Sequence, residues 1–280
     1  MNLTKYGVWI ARSLSEPEYG EAASLVEDLG FGTLWLGGSP KLTKLRPMLE
    51  ASDRLVIATG IVNIWQYEPA VLAQEFAQLD QAFPGRVLLG IGIGHAEATS
   101  EYQKPLTKTR EFLDVIATAP TPVPRERMVV AALGPKMLDL SFERTLGTHP
   151  YFTPVEHTRV ARERLGARAL VAPELAVVVD EDRDRARAAA RKYSELYLDR
   201  ANYTRNLKRL GWADEELANG GSDRLIDAVV PQGSAVQLAV AVQAHLDAGA
   251  DHVCVQPVGV SGVPTAEWTA LAAALGLKGA

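Results

Sequence analysis

Cysteine is nearly absent. The 280-residue chain holds one, Cys254, inside an apolar run, so neither a disulfide framework nor a cysteine-built zinc site can be assembled. Long apolar runs are missing as well: no stretch approaches the ~18 uninterrupted apolar residues that span a bilayer, and the opening MNLTKYGVWI carries no basic leader. A cytoplasmic protein with no membrane partner is therefore expected. An excess of positive charge is the third thing lacking. Lys and Arg number 29 against 34 Asp and Glu, a net charge of −5 without a dense basic run, which removes the electrostatic footprint of a nucleic-acid partner. A small molecule bearing a phosphate stays open, because a few local donors suffice to hold one.

What is present is an ordinary globular composition, 47% hydrophobic and 22% charged. A chain this long buries about three-quarters of the surface its unfolded form exposes, enough for a large core without staples. Eight short β-branched or apolar runs alternate with amphipathic segments, the rhythm of repeated βα units around a parallel sheet. The runs cover residues 6–10, 33–36, 55–61, 87–92, 128–132, 149–153, 175–179 and 252–256. Tyr19, Ala22, Ala23, Val26 and Leu29 share one face of the first helix, which Gly30 stops. Pro69, Pro105, Pro135 and Pro154 each open a helical pattern where a missing amide costs least. The expected fold is α/β: a single (β/α)8 TIM barrel over residues 1–280 with helical insertions. The largest insertion separates strands seven and eight by about 70 residues, too many for one crossover helix, and is expected to cover the barrel mouth or a partner subunit. Within it Tyr193, Leu196 and Tyr197 share helical spacing, which a packed core face explains more simply than a substrate lid.

In such a barrel the chemistry comes from the carboxyl ends of the strands and the loops after them. Those positions hold Gly37, Gly38 and Ser39 after strand two, Asn63 after three, Gly94, His95 and Glu97 after four, Gly134 after five, His149 and Tyr151 in six, and Gln256 in eight. His95 is the best acid/base candidate, since imidazole titrates near neutrality and this one follows the glycine-rich end LLGIGIGH. A histidine packed under a loop is the bland alternative. Gly134 and Pro135 open a helix directly after a strand, so its free amides, with Lys136 nearby, suit an anion such as a cofactor phosphate. An ordinary βα turn explains the same residues. GIGIG lacks the spacing of a dinucleotide-fold glycine loop, and no GK[ST] marks a P-loop. Five histidines with no H-x-H after strand one make a thin basis for a metal site, so none is expected. A sugar hydrolase would need two strand-end carboxylates, and only Glu97 stands out.

Taken together, GFGTLWLGG, DRLVIATGIVNI, YEPAVLAQEFAQLDQAFPGRVLLGIGIGH, AALGPKMLDL, THPYFTPVEHT and GADHVCVQP resemble the luciferase-like flavin and deazaflavin oxidoreductases, nearest to the coenzyme F420-dependent subgroup. The resemblance runs over nearly the whole chain. It implies a β/α barrel that often dimerises through helices, so a homodimer is expected, with the cofactor ring standing in the mouth. It implies a non-proline cis peptide at Gly60–Ile61 against the ring, a ring contact from Asn63, and a phosphate held by Leu133, Gly134, Pro135 and Lys136. Gly38 and Ser39 stand where many relatives carry Asp-His, His95 where sugar-phosphate dehydrogenases of the family carry a glutamate base, and Ala98 where relatives carry a cofactor-contacting asparagine. The implied activity is hydride exchange between F420 and a small organic substrate near His149 and Tyr151. FMN-dependent monooxygenation is the alternative, and a cofactor-binding protein with little catalysis is a third reading. Trp35 and Trp65 are expected near the mouth.

Overall fold

The computed structural model describes residues 3–11, 14–94 and 104–278. Period-two alternation along the strands builds two layers at once. In β1 (Tyr6–Ile10), β2 (Thr33–Leu36) and β3 (Val56–Thr59), the residues Val8, Ile10, Leu34, Leu36 and Ile57 turn outward into the main core beneath the helices. Their neighbours Trp9, Trp35 and Ala58 turn inward and meet Leu88 of β5 (Val87–Gly92), Val129 of β6 (Met128–Val130), Ala172 and Cys254. Trp9, Trp35, Ala58 and Leu88 are paired in register across four parallel strands, a continuous belt around the inside.

The sheet runs in chain order from β1 through β2, β3, β5 and β6 to β7 (Gly147–Thr148) and β8 (Leu170–Val171), all parallel. β9 (Glu174–Val179) follows β8 after two residues and pairs with β11 (Val253–Pro257), which pairs back with β1. The barrel is therefore closed, with β8 and β9 as two halves of one stave. The short β10 (Gln232–Gly233) lies outside this ring on β9.

Three expected strands are redrawn by backbone chemistry. Strand three does not run through 55–61: it stops at Thr59, Gly60–Ile61 is a cis peptide, and pairing resumes in β4 (Val62–Asn63). Across the interruption the Thr59 hydroxyl donates to the Gly90 carbonyl and accepts from the Gly90 amide, both at 2.8 Å. Strand five ends at Val130, two residues early. Strand six is Gly147–Thr148, not 149–153, because Pro150 offers no amide to a ladder and Phe152 is left-handed at φ 52. Leu170–Val171, too short to stand out in sequence, was not expected.

Pro69, Pro105 and Pro135 are the first residues of α3 (Pro69–Ala82), α4 (Pro105–Thr118) and α5 (Pro135–Arg144), as read, whereas Pro154 is the cap before α6 (Val155–Leu165). The long insertion holds α7 (Arg183–Leu198), α8 (Ala201–Arg209), α9 (Asp214–Leu217) and α10 (Asp223–Val229). These pack on one another and on Phe152, Ala176, Val178 and Val258 as a second core above the barrel. No helix among the described residues is long and apolar enough to cross a membrane.

Candidate functional site

A cavity of about 550 Å³ opens at the carboxyl ends of the strands, within the size range of small-molecule and cofactor sites. Its rim on the β2 to β5 side is made of short residues and backbone. Gly38 and Ser39 are both left-handed, at φ 77 and 53, a conformation that is costly for serine and places its hydroxyl to accept from the Asn63 amide at 2.9 Å. The Asn63 carboxamide accepts from the Trp65 amide at 3.1 Å and lies where a Cβ on Gly94 would fall, 2.7 Å from its Nδ2. A Cβ on Gly90 would stand 1.9 Å from the Thr59 carbonyl oxygen, and one on Gly92 would stand 2.7 Å from Ile61. That is the physical reason for the GIGIG run: β5 must lie flat against the Gly60–Ile61 bulge.

Beneath the bulge sit Trp9 and His149, with Nε1 and Nε2 at 2.3 and 3.2 Å from the position of a Cβ on Gly60. His149 stacks on Trp35 with ring centroids 4.1 Å apart and donates from Nδ1 to the Ala172 carbonyl at 2.8 Å, so Nε2 keeps the lone pair. Burial pulls its pKa down to about 4, against the Ala172 hydrogen bond that favours the charged form. It is a neutral imidazole at physiological pH.

The opposite wall is aromatic. Tyr151 donates to the Gln256 side-chain oxygen Oε1 at 2.9 Å, and the Tyr193 and Tyr197 hydroxyls lie 2.6 and 3.0 Å from the Tyr151 hydroxyl. Tyr197 also meets Tyr203 edge-to-face at 5.3 Å and stacks on Phe152 at 4.8 Å. Under this wall Glu174 is buried, accepts from the Phe152 amide at 3.2 Å, and is pushed up to about 8 by burial. Tyr193 and Tyr197 thus form the shared aromatic face read from their spacing, and Tyr197 also lines the cavity. Leu196 leaves that face, 62% exposed.

At a third side, Leu133 and Gly134 line the cavity where α5 begins without a side-chain cap. Pro135 and Lys136 are exposed and outside the lining. The nearest cation is instead Arg209 of α8, whose Nη1 lies 3.4 Å from the position of a Cβ on Gly134. The Leu133 carbonyl accepts from Nε2 of His157, whose pKa is drawn down to about 4 chiefly by burial.

One mouth therefore gathers Gly38, Ser39, Gly60, Ile61, Asn63, Leu133, Gly134, His149 and Tyr151. His95, Glu97 and Ala98 lie outside the described residues. Trp65 is at the mouth, donating to the Ile93 carbonyl at 3.1 Å, but Trp35 is in the middle of the barrel, held by Thr33 and His252. Trp9, Asn202, Tyr203 and Arg209 were not singled out from sequence. Trp9 could have been, as the inward residue near the end of β1. The other three depend on how α8 folds back. Among the described residues no cluster of His, Cys, Asp or Glu could hold a metal ion.

Residues 7–252 match the family model of the luciferase-like monooxygenases. The chain belongs to that family. It is 26% identical over 159 residues to a Mycobacterium tuberculosis protein assigned provisionally as a coenzyme F420-dependent oxidoreductase, a match spanning 54% of this chain and 44% of that one. It is 25% identical over 229 residues to the 5,10-methylenetetrahydromethanopterin reductase of Archaeoglobus fulgidus, covering 67% of this chain and 68% of the relative. In structure, an F420-dependent secondary alcohol dehydrogenase holding an F420–acetone adduct superposes with a TM-score of 0.75 at 16% identity, over 98% of this chain and 99% of the other. The oxygenating constituent of the 3,6-diketocamphane monooxygenase of Pseudomonas putida, in complex with FMN, superposes at 0.69 with 15% identity, over 99% and 98%. These establish the luciferase-like TIM barrel and bear out the resemblance read from the sequence.

Proposed function

We propose that this protein is a coenzyme F420-dependent oxidoreductase that moves a hydride between the deazaflavin and a small organic substrate at the barrel mouth. The observation that carries it is the form of one cavity. A glycine-lined side admits a flat ring, and at the rim the uncapped start of α5 lies beside a guanidinium, the donors a cofactor phosphate needs. The residues present therefore fit the cofactor. Gly38, Ser39, Gly60, Ile61 and Asn63 would border its ring, and Leu133, Gly134 and the start of α5 at Pro135 and Lys136 its phosphate. Arg209 takes the charge-pairing role expected of Lys136.

When bound, F420 supplies the two-electron hydride chemistry; the chain supplies position, dryness and proton handling. His95 is proposed to give or take the substrate's proton, and His95→Ala should lower kcat by about 100-fold. His149 and Tyr151 are proposed to border the substrate, His149 as a fixed neutral group beneath the floor and Tyr151 as the inner wall. The chain is taken to act as one domain over residues 1–280, as a cytoplasmic homodimer, with light scattering as the check on subunit number.

FMN is the second reading, favoured by the likeness to the camphane monooxygenase. Titrating the cofactor-free protein with F420 and with FMN, following tryptophan emission, separates them, because Trp9 lines the cavity. Micromolar F420 binding with much weaker FMN binding supports the deazaflavin reading. The reverse moves the protein to the flavin branch, and F420 binding without turnover of any alcohol or carbonyl leaves a cofactor-binding protein.

A further inference from the structure

The cavity has an uneven distribution of charge. Among its described lining residues there is no Lys, Arg, Asp or Glu, and its one histidine, His149, is 1% exposed. Among the described residues a guanidinium, that of Arg209, stands beside Gly134 but does not line the cavity. The tyrosines do not make up for this, because their hydroxyls are committed elsewhere. Tyr151, Tyr193 and Tyr197 direct theirs into one another and onto the Gln256 carboxamide. What Tyr151 and Tyr197 offer the cavity is ring carbon, and the rings of Tyr151, Tyr197 and Tyr203 stand at steep mutual angles of 57° and 89°. Rings so arranged receive another ring edge-to-face or offset. A charged group brought against these described residues would lose its water and gain no opposite charge from them, which is strongly unfavourable.

We infer that the substrate half of this cavity takes an uncharged, ring-bearing apolar molecule with no more polarity than a hydroxyl or carbonyl, and rejects sugar phosphates and carboxylates. Met137 and Ile93 extend the apolar lining, while Asn202 and Gln66 are the neutral polar side chains left to meet an oxygen. The inference rests on the proposed oxidoreductase reading for the location of the substrate, though not for the chemistry of the wall.

The test is calorimetric titration of the F420-loaded protein with benzyl alcohol, with its para-carboxylate twin, and with glucose 6-phosphate. Benzyl alcohol should bind at least 10-fold more tightly than the carboxylate, with no saturable binding of the sugar phosphate. Equal affinity, a preference for either anion, or no saturable binding of the neutral alcohol overturns the inference. Failure to load F420 at all would instead count against the cofactor reading, and the same titrations on the free protein would still read the wall. Adding a cation should shift the preference: Tyr197→Arg and, at the rim, Asn202→Lys are each expected to tighten the carboxylate about 10-fold relative to benzyl alcohol. Should Tyr197→Arg not fold, Asn202→Lys carries the comparison alone, and an unchanged ratio there overturns the inference.

Discussion

The two sides of the mouth are built on opposite plans. From β2 to β5 the rim carries five short residues, Gly38, Ser39, Gly60, Gly92 and Gly94, between Ile61, Asn63, Gln66 and Ile93, and at Gly60, Gly92 and Gly94 its shape is set by where a Cβ cannot go. Across the cavity the wall is Tyr151, Tyr193, Tyr197 and Tyr203, two of them on α7 and one on α8, outside the barrel repeat. A rim of backbone belongs to the sheet and can change only if the barrel does. A wall of side chains on inserted helices can be exchanged residue by residue. On the proposed reading the first borders the cofactor and the second the substrate.

Substitutions on the rim should do most damage. Gly90→Val places a Cβ 1.9 Å from a backbone oxygen, which neither partner can avoid, so the expected outcome is loss of soluble folded protein, read by circular dichroism. Gly92→Val meets the Ile61 side chain at 2.7 Å instead. It should fold with a loss of about 1–3 kcal/mol in urea and bind F420 at least 10-fold more weakly. Arg209→Ala removes the guanidinium beside Gly134 together with its hydrogen bond to Asn206; F420 affinity should fall about 10-fold with the urea midpoint little changed. A drop in stability without a drop in affinity would remove Arg209 from the site.

The wall should yield smaller and more local effects. Tyr151→Phe removes the hydroxyl on which Tyr193, Tyr197 and Gln256 converge, and a cost of about 1–2 kcal/mol is expected in urea. Leu196→Glu, on the exposed side of α7, should change stability by less than about 0.5 kcal/mol.

Acid and base should separate barrel from wall in another way. His149, His157, His245 and His252 are each drawn by burial from an ordinary 6.5 to about 4. The folded state keeps them neutral, so their contribution is complete above pH 6.5 and is lost as pH falls toward 4, by at most about 3 kcal/mol each. Glu174 behaves oppositely: burial raises it from 4.5 to about 8, so its contribution is complete below pH 4.5 and is lost as pH rises toward 8. Of these five groups four act on the acid side and one on the alkaline side. From them the urea midpoint should peak near pH 7, fall steeply below it and gently above. Glu174→Gln should flatten the gentle limb and steepen the acid one.

The order of the elements, the eight-stave barrel, the site of the long insertion and most of the rim were legible in the chain. β-branched runs, helix-opening prolines and clustered glycines are local signals, set by sterics within a few residues. Ser39, Asn63 and Gly134 could be named because strand ends meet at one mouth in any closed parallel barrel. Three things needed the tertiary structure. The contact that spans the break at Gly60–Ile61 joins the Thr59 hydroxyl to Gly90, 31 residues away. Arg209 rather than Lys136 stands beside Gly134, because α8 folds back over the start of α5. The tyrosine wall joins Tyr151 to Tyr193, Tyr197 and Gln256 across separations of 42 to 105 residues, and no local spacing encodes a contact made by bringing an insertion back over the barrel it interrupts.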